Sequence, residues 1–183
     1  MRTLSELPLR QKVLLSLTVL TGAFILFFYS TNTLSWEALN LMILAYGMGT
    51  PLLLLGENTL IDLDDNSIFK IWATIALTFL IGYFLTKDNP EFTIRRSTDF
   101  VDRGINKFIV KGSTSSLRAL PLFLLCYWPL NYLMKKKTGY YLINTFRQKR
   151  WRHDIANRDI EWLDVFINML LLAVIFMASL IEI

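Results

Sequence analysis

The clearest pattern along the chain is the separation of long charge-free stretches from short charged linkers. Five such stretches occur, and they are Val13–Trp36, Ala38–Gly56, Ile71–Thr86, Ala119–Met134 and Val165–Ile181. An α-helix rises 1.5 Å per residue, so a hydrocarbon layer of about 30 Å needs about 20 apolar residues. The stretches therefore predict an all-α, polytopic membrane helix bundle. Its five or so hydrophobic segments are expected at about residues 13–30, 38–56, 68–86, 117–134 and 163–181.

The fourth segment, 117–134, leaves two topologies open. Its charge-free part is only 16 residues long, but Arg118 and Lys135 flank it. Their aliphatic stems can lie in the hydrocarbon layer while the charges reach water, which lengthens the part that can be buried in the membrane. It also contains Pro121 and Pro129, so a segment that enters the membrane and returns on the same side is the alternative to a full crossing.

Composition agrees with a membrane protein. The 183 residues are 54% hydrophobic and 19% charged, whereas soluble domains average about 45–50% apolar and about 25% charged residues. The first segment has basic residues before it but no Ala-x-Ala cleavage site after it, so we expect it to be retained. We interpret residues 1–183 as a single integral membrane domain, in a cell or inner membrane.

Two basic linkers, 87–116 and 135–161, predict one or two amphipathic helices at the membrane surface. In the first, Arg103, Lys107 and Lys111 form an i, i+4, i+8 stripe opposite an apolar face. Clusters of Lys and Arg beside a membrane helix are typical of contact with anionic head groups or an acidic partner surface. Nucleic-acid binding is disfavoured because no recognition motif is present. The candidate contact residues are Arg95, Arg96, Arg103, Lys107, Lys111, Lys135, Lys136, Lys137, Arg147, Lys149, Arg150 and Arg152.

The numbers of Lys and Arg residues on the two sides of the membrane bear on the orientation of the protein. With five crossings and an inner N-terminus, 12 basic residues lie inside and 7 outside. If 117–134 is re-entrant and the N-terminus lies outside, the count becomes 15 against 4. The basic flank of the first helix favours an inner N-terminus.

Small residues at four-residue spacing predict where helices pack closely, because such residues let two helix backbones approach in lipid. Pro51 further predicts a kink in the second helix. The candidate packing residues are Gly22, Ala45, Gly49, Thr74, Thr78 and Gly82.

Polar groups inside the segments are few. Asn40, Asn131 and Asn168 are the intramembrane candidates, and we expect them to bond neighbouring helices rather than a substrate. No charged residue lies in the middle of a segment, which disfavours proton-coupled transporters and ion pumps. Cys126 is interpreted as a packing residue.

The sequence contains few residues that could form a metal site or a catalytic site. The acidic stretch 57–67 lacks the glycine turn and closing Glu of an EF-hand and is interpreted as a solvated loop. The single histidine, His153, precedes Asp154, but a lone histidine cannot form a zinc site, and no nucleophile motif accompanies it. We predict no metal or cofactor and lean against an enzyme.

The leading functional interpretation is a non-catalytic multi-pass membrane protein that serves as a subunit or partner-binding component of a membrane assembly. Its expected partners are membrane lipids and either other membrane subunits or further copies of itself. One alternative is a homo-oligomeric channel or small transporter lined by the three asparagines. The other is a lipid-modifying enzyme that uses Asp99, Asp102, His153 and Asp154.

Overall fold

A computed structural model describes residues 6–56, 59–89, 113–140, 142 and 162–180. All regular elements in these ranges are helices. They are α1 (Leu9–Thr31), α2 (Trp36–Leu54), α3 (Thr59–Asp62), α4 (Asn66–Thr86), a 3₁₀ helix (Ser113–Arg118), α5 (Ala119–Thr138) and α6 (Trp162–Leu180). The five long helices coincide with the five predicted hydrophobic segments to within four residues at each end.

Local sequence explains several helix ends. The hydroxyl of Ser35 accepts a hydrogen bond from the backbone N–H of Ala38, and the Asp65 carboxylate accepts one from Ser67, so both residues cap the helices that follow. Asn32 and Gly139 adopt left-handed backbone conformations just after α1 and α5, a geometry that ends helices. α2 continues through Pro51 for one further turn.

α1, α2 and α4 alternate in direction. The rings of Tyr29 and Trp36 lie 6.2 Å apart, and Gly22 lies against Tyr46, so α2 runs back along α1. The indole N–H of Trp72 donates to the side-chain oxygen of Gln11 (2.9 Å), which places the start of α4 beside the start of α1. We call the end of the molecule where α1 begins the proximal end, and the opposite end the distal end.

α5 and α6 continue this alternation. The Tyr127 hydroxyl donates to the Leu60 carbonyl (2.9 Å) toward the proximal end, and the Arg118 guanidinium lies 5.0 Å from the Tyr83 ring at the distal end. Arg118 also donates to the Ala178 carbonyl near the end of α6. α5 therefore runs from the distal to the proximal end, antiparallel to both α4 and α6.

Three helices, α1, α2 and α4, are long and apolar enough to cross a membrane. α6 provides a shorter apolar helix, Trp162–Ala178, and α5 does not reach the same combination of length and hydropathy. The windows of α1 and α4 are each only 22% buried, so large apolar side chains cover much of their outer surface. The described part of the protein is thus all-helical, and three of its helices have the length and apolar character of membrane-spanning helices.

The two linkers expected at the membrane surface fall mostly outside the described residues. In the first, only 87–89 and 113–116 are described, and the latter belong to the 3₁₀ helix. Thr114, Ser115 and Ser116 are buried, so the end of this linker lies among the helices rather than on the surface. In the second linker, 135–138 form the last turn of α5, and Leu142 is buried.

Candidate functional site

The most unusual feature of the interior is the hydroxyl-rich 3₁₀ helix, which packs against α2, α4, α5 and α6. Polar side chains are costly to bury unless hydrogen bonds satisfy them. Ser116 meets this requirement: its hydroxyl, which is fully buried, donates to the carbonyl of Ile43 in α2 at 3.1 Å. The 3₁₀ helix thereby lies against the middle of α2, while Arg118 at its end lies beside the distal ends of α4 and α6.

Gly47 permits this close approach. A Cβ atom at Gly47 would lie 2.2 Å from the Ser116 hydroxyl oxygen and 2.6 Å from its backbone carbonyl carbon. No side chain can occupy that space unless backbone moves. The four-residue spacing predicts Gly49, two residues further on, as a packing glycine and does not single out Gly47.

Arg118 is a buried cation, with only 8% of its surface exposed. Its Nη2 donates to the Ala178 carbonyl at 3.0 Å, and its Nε donates to the Ser115 carbonyl at a longer 3.4 Å. The charge also faces the Tyr83 ring at a distance typical of a cation–π interaction. A cation at the C-terminal end of α6 is additionally stabilised by the helix dipole.

The burial of Arg118 contradicts the prediction that it flanks the fourth segment with its charge in water. Asp164, which directly precedes the charge-free stretch Val165–Ile181, is also fully buried, in the first turn of α6. The sequence did contain one signal: a run of four hydroxyl residues, 113–116, ends two residues before Arg118, and such side chains can satisfy buried backbone groups. The 3₁₀ helix and Arg118 connect elements through carbonyl contacts, which is a structural rather than a reactive arrangement.

A second polar network lies at the proximal end. The guanidinium of Arg10 forms a two-point ion pair with Asp62, and the amide of Gln11 donates to the same carboxylate at 3.0 Å. Only 8% of the Asp62 side chain is exposed, so the prediction of a solvated acidic loop is wrong for this residue. Since Gln11 also bonds Trp72, the network ties α1 to α3 and α4.

The three predicted asparagines are all buried but do not lie at one level. Asn131 donates to Asp64 (3.2 Å) and accepts from the Leu142 backbone N–H (3.0 Å), both near the proximal end. Asn168 donates to the Asp164 carbonyl in its own helix (2.7 Å). Asn40 is the fifth residue of α2 and therefore lies near the distal end. Asn131 thus lies toward the proximal end and Asn40 toward the distal end.

Some of the predicted packing residues lie at contacts between elements, and others do not. A Cβ at Gly22 would lie 2.8 Å from the Tyr46 hydroxyl, and one at Gly82 would touch Leu117 at 3.6 Å, so both glycines lie at contacts between elements. Thr74 and Thr78 are exposed and donate to carbonyls of their own helix, so they form no packing face within the described part of the chain.

Ala45 and Gly49 lie along an open groove between α1 and α2. The groove has a volume of about 220 Å³, and a Cβ at Gly49 would meet nothing within 4 Å. Its lining is formed by Leu17, Thr18, Thr21, Met42, Ala45, Tyr46, Gly49, Thr50 and Leu53.

Of the predicted cationic contact residues, Lys135, Lys136 and Lys137 are described, and all three are exposed at the proximal end of α5. The others lie outside the described residues, as do Asp99, Asp102, His153 and Asp154. Within the described ranges, no group of three or more His, Cys, Asp or Glu side chains is placed to hold a metal ion.

Comparison with known proteins identifies no relative. No family model, no curated protein and no solved structure matches the chain. Its functional assignment therefore rests on the physical chemistry of its own residues.

Proposed function

We propose that this chain is a multi-pass membrane protein that acts as a non-catalytic subunit or partner-binding component of a membrane assembly. The observation that carries the proposal is the surface of α1, where large apolar side chains such as Leu20, Phe24 and Leu26 are more than half exposed. Contiguous apolar surface of this extent is typical of contact with lipid or with another protein.

The way α1 is attached supports a partner as well as lipid. Its interhelical packing is mainly with α2, and only 22% of its apolar window is buried. The open groove beside Ala45 and Gly49 offers small residues at the four-residue spacing through which membrane helices approach each other. A helix of a second protein, or of a second copy, would find both an apolar face and room for close contact.

Helix direction supports five crossings rather than a re-entrant fourth segment. α5 is one continuous helix through Pro129, and it runs from the distal to the proximal end between oppositely directed neighbours. Lys12, Lys70 and Lys135–Lys137 lie toward the proximal end, whereas Lys87 follows the distal end of α4. By the positive-inside rule, the proximal end and the N-terminus face the cytoplasm.

Site-specific photo-crosslinking on α1 tests the partner role. A photoreactive residue at exposed Leu20 is expected to give a larger adduct in native membranes, and the adduct identifies either a second copy or another protein. The matched control is the same residue at Leu14, which is buried in the same helix and should give no adduct.

An absence of protein adducts from Leu20, together with a monodisperse monomer after mild extraction, would contradict the subunit proposal. An adduct of two identical chains that also conducts ions in liposomes would favour the channel alternative.

A further inference from the structure

We infer that the groove between α1 and α2 is the docking site for a second copy of this chain, which inserts the exposed threonine face of its α4 (Thr74 and Thr78). The inference rests on the proposed function, because it requires α1, α2 and α4 to cross a membrane. It goes further by naming the partner, the two surfaces that meet and the register in which they meet.

The groove contains two hydroxyl groups that form no hydrogen bond within the described part of the chain. They belong to Thr21 of α1 and Tyr46 of α2, and both residues line the groove. Every other threonine of the long helices donates to a carbonyl of its own helix, as Thr18 and Thr50 do in the same groove. The hydroxyls of Thr21 and Tyr46 are thus left for a partner.

Both hydroxyls belong to residues near the middle of the proposed membrane layer. Thr21 is the thirteenth of the 23 residues of α1, and Tyr46 is the eleventh of the 19 residues of α2. The middle of a hydrocarbon layer is about 15 Å from either surface, so water and lipid head groups do not reach these groups. Acyl chains offer no hydrogen bond. A polar side chain of a second protein is therefore the group that can engage them.

α4 has the complementary face. Thr74 and Thr78 are exposed, and their hydroxyls donate to the carbonyls of Lys70 (2.9 Å) and Ile75 (2.7 Å). A hydroxyl that already donates can still accept a hydrogen bond. Thr78 is the thirteenth of the 21 residues of α4, so it is also central in its helix. The groove thus supplies donors, and the exposed face of α4 supplies acceptors.

Contacts of Tyr46 show that these groups lie at one level. The rings of Tyr46 and Phe79 are 4.6 Å apart, and the Tyr46 hydroxyl lies against Gly22. Thr78 directly precedes Phe79 and therefore lies near the level of Tyr46. Thr21 directly precedes Gly22 and lies near the same level. Copies that cross the membrane in the same direction keep these levels, so Thr78 of one copy matches the depth of the groove hydroxyls of another.

Small residues at matching spacing let the two backbones approach. In the groove they are Ala45 and Gly49, and a Cβ at Gly49 would meet nothing within 4 Å. α2 and α4 run in opposite directions, so Ala45 can face Thr78 while Gly49 faces Thr74. In both helices the second residue lies about 6 Å nearer the proximal end. Pairs of small residues at four-residue spacing are typical of contacts between membrane helices.

A second copy meets these requirements within one sequence. Each copy carries both the groove and the threonine face, as a symmetric oligomer requires. Rotation about an axis normal to the membrane leaves every residue at its own depth, so the match of levels holds for each contact. An unrelated protein would need to reproduce both the spacing and the depth of Thr74 and Thr78.

Disulfide formation between two copies in native membranes tests the inference. Two full-length chains with different tags are co-expressed in a Cys126→Ser background, one with Ala45→Cys and the other with Thr78→Cys. Oxidation with copper phenanthroline is expected to join the two tags covalently. The matched control replaces Thr78→Cys with Leu85→Cys, an exposed position on the same side of α4 about 10 Å nearer the distal end, and should give no product.

A second set of variants alters the groove and leaves the rest of the molecule in place. Gly49→Leu puts a side chain into open space, so the melting temperature should not fall. Its self-association, measured by fluorescence energy transfer between tagged chains in liposomes, is expected to weaken about tenfold because the groove is then filled. Tyr46→Phe removes one hydroxyl and should weaken self-association about threefold, as is average for a hydrogen bond between membrane helices.

The absence of a product from the Ala45→Cys and Thr78→Cys pair would overturn the inference, and so would unchanged self-association of Gly49→Leu. A Leu20 adduct with a different protein would in that case leave the subunit proposal intact. Recovery of the chain without detergent would instead contradict the membrane crossing on which both depend.

Discussion

At the scale of single residues, the contact of Gly47 with Ser116 is the closest approach found at a glycine in the described part of the chain. We predict that Gly47→Ala lowers the free energy of unfolding by about 1–3 kcal/mol or more, since overpacking a tight contact costs that much. The new Cβ would lie 2.6 Å from a backbone atom, and rotation of the serine side chain cannot relieve this. Thermal unfolding in detergent, followed by circular dichroism, measures the effect.

Gly49→Ala is the matched control, because the same change is made two residues away on the same helix. Its Cβ meets nothing within 4 Å, and alanine has a higher helix propensity than glycine by up to about 1 kcal/mol. We expect an unchanged or slightly raised melting temperature. Equal destabilisation by both variants would show that the 3₁₀ helix does not pack against Gly47.

At the scale of elements, the long helices could be predicted from sequence and the 3₁₀ helix could not. An uninterrupted apolar run defines a helix almost by itself, which is why the predicted segment 68–86 corresponds to α4 at Asn66–Thr86. The stretch Ser113–Arg118 has no apolar periodicity, and its burial depends on carbonyls supplied by α2 and α6. Sequence alone does not show which distant backbone groups will satisfy a hydroxyl or a guanidinium.

The same reasoning applies to Asp62. Its neighbours in sequence are mostly polar and predict a loop in water, but its partners, Arg10 and Gln11, are more than fifty residues away.

The spacing of small residues also predicted two packing positions at which the described helices do not pack. Spacing alone selected Thr74 and Thr78, although nothing in the spacing distinguishes a helix face that contacts the chain from one that faces outward.

The attachment of α3 to α5 gives a prediction at this scale. Tyr127→Phe removes the hydroxyl that donates to the Leu60 carbonyl and leaves that buried carbonyl without this donor. We expect a loss of about 0.5–1.5 kcal/mol in unfolding free energy. Hydrogen exchange should also become faster in residues 59–65 than elsewhere.

Tyr132→Phe is the control, because that side chain lies on the same helix but is exposed. It should leave both stability and exchange unchanged. If Tyr127→Phe accelerates exchange uniformly along the chain, the hydroxyl does not act locally on α3.

At the scale of the whole molecule, the alternation of helix directions and the distribution of basic residues predict the same orientation in the membrane. Each observation alone is compatible with more than one topology. The basic linkers fit either five crossings or a re-entrant fourth segment, and the direction of α5 by itself does not assign its ends to the two sides of a membrane. Together they favour five crossings, because only then do the proximal lysines and the N-terminus share the cytoplasmic face.

Cysteine labelling in intact cells checks this topology in a Cys126→Ser background. Thr33→Cys and Asp88→Cys, at the distal end, are expected to react with a membrane-impermeant maleimide from outside. Lys136→Cys, at the proximal end, should react only after the membrane is permeabilised, because α5 then separates it from Asp88. Ala76→Cys is the buried control and should stay unlabelled in both conditions. Labelling of positions 88 and 136 from the same side would mean that α5 returns instead of crossing, and the cytoplasmic placement of its lysines would be lost with it.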